Sequence, residues 1–121
     1  MAELNGKIAL ITGAGQGVGQ GIALAMAQAG ASVVLAGRTL AKVETSAGLI
    51  WDRGGKAQAV ACDVKSDNDL AAAVAFAIQA FGGLDILVNN AQEVPLGTLD
   101  EVSDEAFLNG FISGPLATFR M

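Results

Sequence analysis

Apolar and polar positions along this chain switch repeatedly between the period of a strand and that of a helix. Residues 7 to 12, Lys-Ile-Ala-Leu-Ile-Thr, form a β-branched-rich apolar run ending in glycines, the pattern of a strand buried on both faces. After a glycine-rich turn, Val18, Ile22, Ala25, Met26 and Ala29 recur at helical spacing, and Gly30 stands where a left-handed C-terminal cap belongs. The same succession then repeats. Ser32 to Ala36 reads as a second buried strand, and Leu40, Val43, Ala47 and Ile50 mark a helix stopped by Gly54-Gly55. Residues 56 to 62 make a third strand. Ser66, with Asp69 three residues later, is a near-capping box opening a helix through Leu70, Val74, Ala77 and Phe81, which Gly82-Gly83 ends. Leu84 to Asn89 gives a fourth strand. After a loop with Pro95 and Gly97, Ser103 caps a last helix that begins near Asp104, carries two acids in its first turn and runs toward the chain end.

Strands and helices alternating at these lengths require parallel strands joined by right-handed crossovers, because tight hairpins cannot connect parallel neighbours. The predicted fold class is therefore α/β: a Rossmann-type, doubly wound parallel sheet, truncated to about four strands with flanking helices. No linker, charge block or repeat divides the 121 residues, so positions 1–121 read as one partial dinucleotide-binding domain with no second domain. A 52% apolar composition supplies its core. The sixteen glycines exceed the usual ~7% share, and with only two prolines they are assigned to tight turns and close contacts rather than to low complexity.

Charge and composition remove several function classes. The net charge is −5, and the basic residues Lys7, Arg38, Lys42, Arg53, Lys56, Lys65 and Arg120 are scattered, leaving no basic stripe for nucleic acid. No charged-then-apolar leader and no run of ~18 apolar residues is present, so a cytoplasmic protein with no membrane partner is expected. Cys62 is the only cysteine and follows Val60 and Ala61 in an apolar run; it reads as a buried, inert thiol. Without any histidine, no metal site is assigned.

The glycine turn, Thr12-Gly13-Ala14-Gly15-Gln16-Gly17-Val18-Gly19, lies directly between the first strand and the first helix, the context that a dinucleotide fingerprint requires. Gly13 can take the tight turn, Gly15 and Gly17 let backbone approach a pyrophosphate, and either Gly17 or Gly19 permits close packing of helix on strand. The helix N-terminus offers free N–H groups and a positive dipole to phosphate. The rival phosphate loop of NTPases fails for want of Gly-Lys-Ser/Thr.

In these residues the sequence resembles the classical short-chain dehydrogenase/reductase family, whose Thr-Gly-x-x-x-Gly-x-Gly signature matches Thr12, Gly13, Gly17 and Gly19. Asp63-Val64, ending the third strand, matches the family's adenine-contacting Asp-Val, and Asn89-Asn90-Ala91, ending the fourth, matches its Asn-Asn-Ala-Gly. The resemblance spans nearly the whole chain and weakens after Ala91. Asp63 then either accepts from the adenine amino group, with the Val64 backbone along the ring edge, or begins a polar turn. Asn89 and Asn90 either bridge strands or border the cofactor ribose. Gln92 replaces the family's glycine, and its side chain either narrows the nicotinamide side of the cleft or turns to solvent. The resulting cofactor-binding set is Gly13, Gly15, Gln16, Gly17, Val18, Gly19, Gly37, Arg38, Asp63, Val64, Asn90 and Ala91.

The choice of nicotinamide cofactor turns on the end of the second strand, where a carboxylate would bind the ribose 2′-hydroxyl of NAD. Here Gly37 is followed by Arg38, which suits the 2′-phosphate of NADP, with NAD the alternative because Gln16 is uncharged where some NADP-preferring relatives carry a basic residue. The resemblance implies hydride transfer between nicotinamide and a small carbonyl or alcohol, with a Tyr, a Lys and a Ser doing the chemistry. This chain has no tyrosine and no histidine, so no catalytic residue is assigned and those groups are expected beyond residue 121. The family's helix asparagine, in a pattern like Asn-x-x-Gly-Pro, falls on Phe111, with Asn109 out of register. The apolar ending Leu116 to Met121 reads as a chain cut within or beside a helix, leaving the fourth strand an open edge that invites homo-association. The leading expectation is the N-terminal, cofactor-binding part of an NAD(P)-dependent oxidoreductase, inactive alone. The alternatives are a standalone non-catalytic nucleotide-binding module and, against the Thr-Gly and Asn-Asn-Ala signals, an S-adenosylmethionine-dependent methyltransferase.

Overall fold

A computed structural model describes residues 3–121. The elements run β1 (Ile8–Thr12), α1 (Gly17–Gln28), β2 (Ser32–Gly37), α2 (Leu40–Asp52), β3 (Lys56–Ala61), α3 (Asp67–Phe81), β4 (Ile86–Val88), α4 (Asp104–Phe111), a π-helical turn (Ile112–Leu116) and α5 (Ala117–Arg120). Glycine stops the helices as its lack of a Cβ allows. At the end of α1, Gly30 has φ 102°, its N–H donates to the Ala27 carbonyl, and the Ala31 N–H reaches back to Met26. The end of α2 repeats the motif with Gly54 and Gly55 donating to Trp51 and Ile50. Ser66 and Ser103 cap α3 and α4 by accepting from the Asp69 and Ala106 N–H groups.

Three expectations need correction. The capping box at α3 is only half formed: the Asp69 carboxylate accepts from the Asp63 N–H at 2.9 Å instead of closing on Ser66, so it braces the end of β3. The fourth strand is confined to Ile86–Val88, half-buried along its length and, among the described residues, paired with β1 alone. The last helix is not continuous, because Pro115 has no N–H to give the preceding turn and the backbone widens into the π-helical turn around it.

All strand pairs are parallel, in the order β3-β2-β1-β4, with Leu10 opposite both Val34 and Leu87. Alternate residues face opposite layers. Ala9, Ile11, Val33 and Leu35 pack against Ala23 of α1 and Val43, Ala47 and Ile50 of α2. Leu10, Val34 and Ala36 pack on the other face against Leu70, Ala73 and Ala77 of α3 and Ala117 of α5. Both faces of the sheet are therefore covered, the reason β1 and β2 are apolar without alternation. Leu10, Ile11 and Leu35 are wholly buried, each contributing roughly 1.5–3 kcal/mol relative to exposure. The chain moves from β1 to β2 to β3 in one direction and then crosses back to place β4 on the other side of β1, creating a switch point at the carboxyl ends of β1 and β4.

Candidate functional site

A cleft of about 390 Å³ opens at that switch point. Its walls are the turns that leave all four strands: the glycine turn after β1, Gly37 to Thr39 after β2, Cys62 to Lys65 after β3, and Asn90 to Glu93 after β4. Eleven of the twelve residues read from sequence line it, namely Gly13, Gly15, Gln16, Gly17, Val18, Gly37, Arg38, Asp63, Val64, Asn90 and Ala91. Gly19 lies beneath it, in the first turn of α1, where a Cβ would come within 2.1 Å of the Gly13 carbonyl oxygen. Of the two glycines open to the role of helix-on-strand packing, Gly19 is the one that fills it. Gly17 has φ 58° and nothing within 4 Å of where its Cβ would stand, so it keeps backbone open toward the cleft.

The start of α1 differs from the starts of α3 and α4. No side chain caps it, and it has no acid in its first turn, so among the described residues the N–H groups of Gly17, Val18 and Gly19 are left to an external acceptor. Val18, 72% exposed, adds an apolar wall beside these donors.

Thr12 fixes the opposite rim. Its buried hydroxyl oxygen accepts from the Asn90 and Ala91 N–H groups, both at 3.0 Å, and donates to the Val88 carbonyl at 3.4 Å. The Asn90 amide donates to the Gly13 carbonyl at 3.2 Å, so Asn90 is the asparagine that joins strand ends, while Asn89 is exposed. Gln92 lies against Gly114 of the π-helical turn at the border of the cleft. Asp63 Oδ1 accepts from the Lys65 N–H at 3.0 Å, the polar-turn role, and the residue also faces the cleft.

Sequence reading missed the rest of the charge arrangement. Lys42, in the first turn of α2, lies against Gly15 and donates from Nζ to Gln16 Oε1 at 3.2 Å, placing a cation beside the uncharged Gln16. Glu93 Oε1 accepts both Arg38 Nη1 at 3.1 Å and Lys65 Nζ at 2.7 Å. Its own N–H donates to the buried Ser113 hydroxyl at 2.8 Å. The intervals between these partners run to 55 residues, too long for any local pattern to reveal, although a basic residue opening the helix after β2 was a usable signal for Lys42. Cys62 lines the cleft as a buried thiol; burial first, then the charges of Asp69 and Asp63, push it from 9.0 up to about 11. Among the described residues no cluster of three His, Cys, Asp or Glu side chains is arranged to hold a metal ion, and no helix is long and apolar enough to cross a membrane.

A family model described as short chain dehydrogenase matches residues 7–117. Galactitol 2-dehydrogenase of Agrobacterium fabrum is 40% identical over 116 residues, covering 93% of this chain and 44% of the relative. The 7alpha-hydroxysteroid dehydrogenase of Escherichia coli is 47% identical over 88 residues, covering 73% of this chain and 34% of the relative. A short-chain type dehydrogenase/reductase from Mycobacterium marinum superposes with a TM-score of 0.92 at 35% identity, covering 98% of this chain and 48% of that one. A 7 alpha-hydroxysteroid dehydrogenase structure complexed with NADH and 7-oxo glycochenodeoxycholic acid gives a TM-score of 0.92 at 36% identity, covering 98% of this chain and 46% of that one. The chain thus spans about half, or less, of the length of these relatives.

Proposed function

The chain belongs to the short-chain dehydrogenase family, and from that premise we propose that it is the cofactor-binding part of an NADP-preferring oxidoreductase acting on a small carbonyl or alcohol. The observation that carries the reading is the uncapped start of α1, with its glycines turned to a cleft at the switch point of the sheet. The residues fit a dinucleotide. Gly17 leaves the space that a pyrophosphate needs, and a Cβ at Gly13 would stand 2.9 Å from the Ala91 Cα, so the turn is as tight as the fold allows.

In this reading the N–H groups of Gly17, Val18 and Gly19 and the α1 dipole bind the pyrophosphate. Asp63 and Val64 border the adenine, and Asn90 and Ala91, held by Thr12, border the ribose. Arg38 and Lys42 face the 2′-phosphate, with Lys65 beside them through the Glu93 carboxylate oxygen that it shares with Arg38. Gly37 brings no carboxylate to repel it, and Lys42 supplies the charge that Gln16 lacks. A bound nicotinamide supplies the hydride donor or acceptor. The chain's own residues bind and orient; with no tyrosine and no histidine they offer neither of those side chains as the acid or base of the reaction.

Fluorescence titration of the 121-residue chain with NADPH and NADH tests the assignment. NADPH is expected to bind more tightly, and Arg38→Ala to weaken it about tenfold while leaving NADH nearly unchanged. Tighter binding of NADH, or an Arg38→Ala variant with unaltered NADPH affinity, refutes the NADP preference.

A further inference from the structure

The loop after β4 sends one acid back across the sheet. Arg38 follows β2 and Glu93 follows β4, and these strands lie on opposite sides of β1, so their contact passes over the end of β1 and across the cleft that its glycine turn lines. Lys65, beyond β3, meets the same carboxylate oxygen. The backbone under Glu93 is fixed: its N–H is taken by Ser113, which is 2% exposed, and its carbonyl lies so close to Gly110 that a Cβ there would stand 3.0 Å away.

The side chains themselves are only partly covered, at 63% exposure for Arg38, 32% for Glu93 and 27% for Lys65. Ion pairs this exposed are screened by solvent and contribute little to folding, so a ligand can break them. The bridge nonetheless has a direct effect on ligands, because both cations carry an internal anion where a phosphate would otherwise find them. A phosphate offers more acceptor oxygens than this single shared carboxylate oxygen and can displace it, at the cost of leaving Glu93 beside a second negative charge.

We propose that Glu93 is a specificity-determining residue of this cleft: a tethered carboxylate that competes with the cofactor's phosphate for Arg38 and Lys65 and so moderates the preference for a phosphorylated over an unphosphorylated dinucleotide. This rests on the reading of the cleft as a nicotinamide-dinucleotide site. An unphosphorylated dinucleotide leaves the bridge intact; a 2′-phosphorylated one must part it.

Glu93→Gln keeps the shape of the side chain and removes its charge. Titrated with NADPH and NADH beside the unaltered chain, with circular dichroism to verify folding, it is expected to bind NADPH about three- to tenfold more tightly and NADH with less than a twofold change. The gain should vanish when Arg38→Ala and Lys65→Ala are introduced together, since the freed cations are its source. Glu93→Asp, whose shorter carboxylate is drawn away from both cations, should lie between Gln and the unaltered chain and serves as the folded comparison should Gln perturb the loop. Unchanged or weaker NADPH binding in both variants overturns the proposal, as does an equal gain for both cofactors. Binding of neither cofactor by the unaltered chain overturns the nucleotide reading itself, and this inference with it.

Discussion

Cys62 and Gly19 illustrate how single residues shape this cleft without being suited to its chemistry. A sulfur in the wall of a binding site invites thought of a nucleophile, yet burial and the nearby charges of Asp69 and Asp63 hold the thiol protonated up to about pH 11. The sign of the stability effect follows. The folded chain keeps this proton above pH 9.0, where the unfolded chain releases it, so the contribution of the neutral buried thiol is complete below pH 9.0 and is lost as pH rises toward 11. Urea midpoints of the chain should therefore fall between pH 9 and 11 more than those of a Cys62→Ala variant, and alkylation of the folded chain at neutral pH should be slow. A midpoint with the same pH profile in both chains would refute this. Gly19 acts by absence: only a residue with no Cβ lets the first turn of α1 lie against the Gly13 carbonyl, and that contact is what aims the helix start at the cleft.

At the scale of elements, the weakest piece is β4, three residues long and hydrogen-bonded on one side. Its two ends are tied to β1 by side chains. Asp85 accepts from the Ile8 N–H at 2.9 Å before it, and Thr12 gathers the Asn90 and Ala91 N–H groups after it. Thr12→Val preserves shape but leaves those two donors without their acceptor, which should cost about 2–3 kcal/mol in urea unfolding and loosen the Asn90 rim. A loss below about half a kilocalorie would mean that water replaces the hydroxyl there. The π-helical turn matters for a similar reason: by interrupting the helix at Pro115 it sets Ser113 inward, under Glu93, and so holds the loop that carries the bridge.

The described residues form a sheet between two layers of helices, with a cleft at its carboxyl edge where the chain reverses its direction across the sheet. A ligand that binds only the folded state stabilises it by about 2.7 kcal/mol at a hundredfold excess over its Kd, so saturating NADPH should raise the thermal midpoint by on the order of 10 °C in a chain this size. No rise with either nicotinamide cofactor would count against the proposed function. The sequence by itself determined the order of strands and helices, the glycine caps, and eleven of the residues that line the cleft, because each depends on local periodicity, on φ angles open only to glycine, or on motifs set at strand ends. It overreached where local signals compete with tertiary ones: the half-formed capping box, the length of β4 and the broken last helix. Only the tertiary structure decided that Gly19 rather than Gly17 takes the close-packing role, that Lys42 stands beside Gln16, and that Glu93 spans Arg38 and Lys65. These are encounters between residues far apart in the chain, created by the strand order, and no local pattern of apolar and polar positions encodes which strand ends will meet.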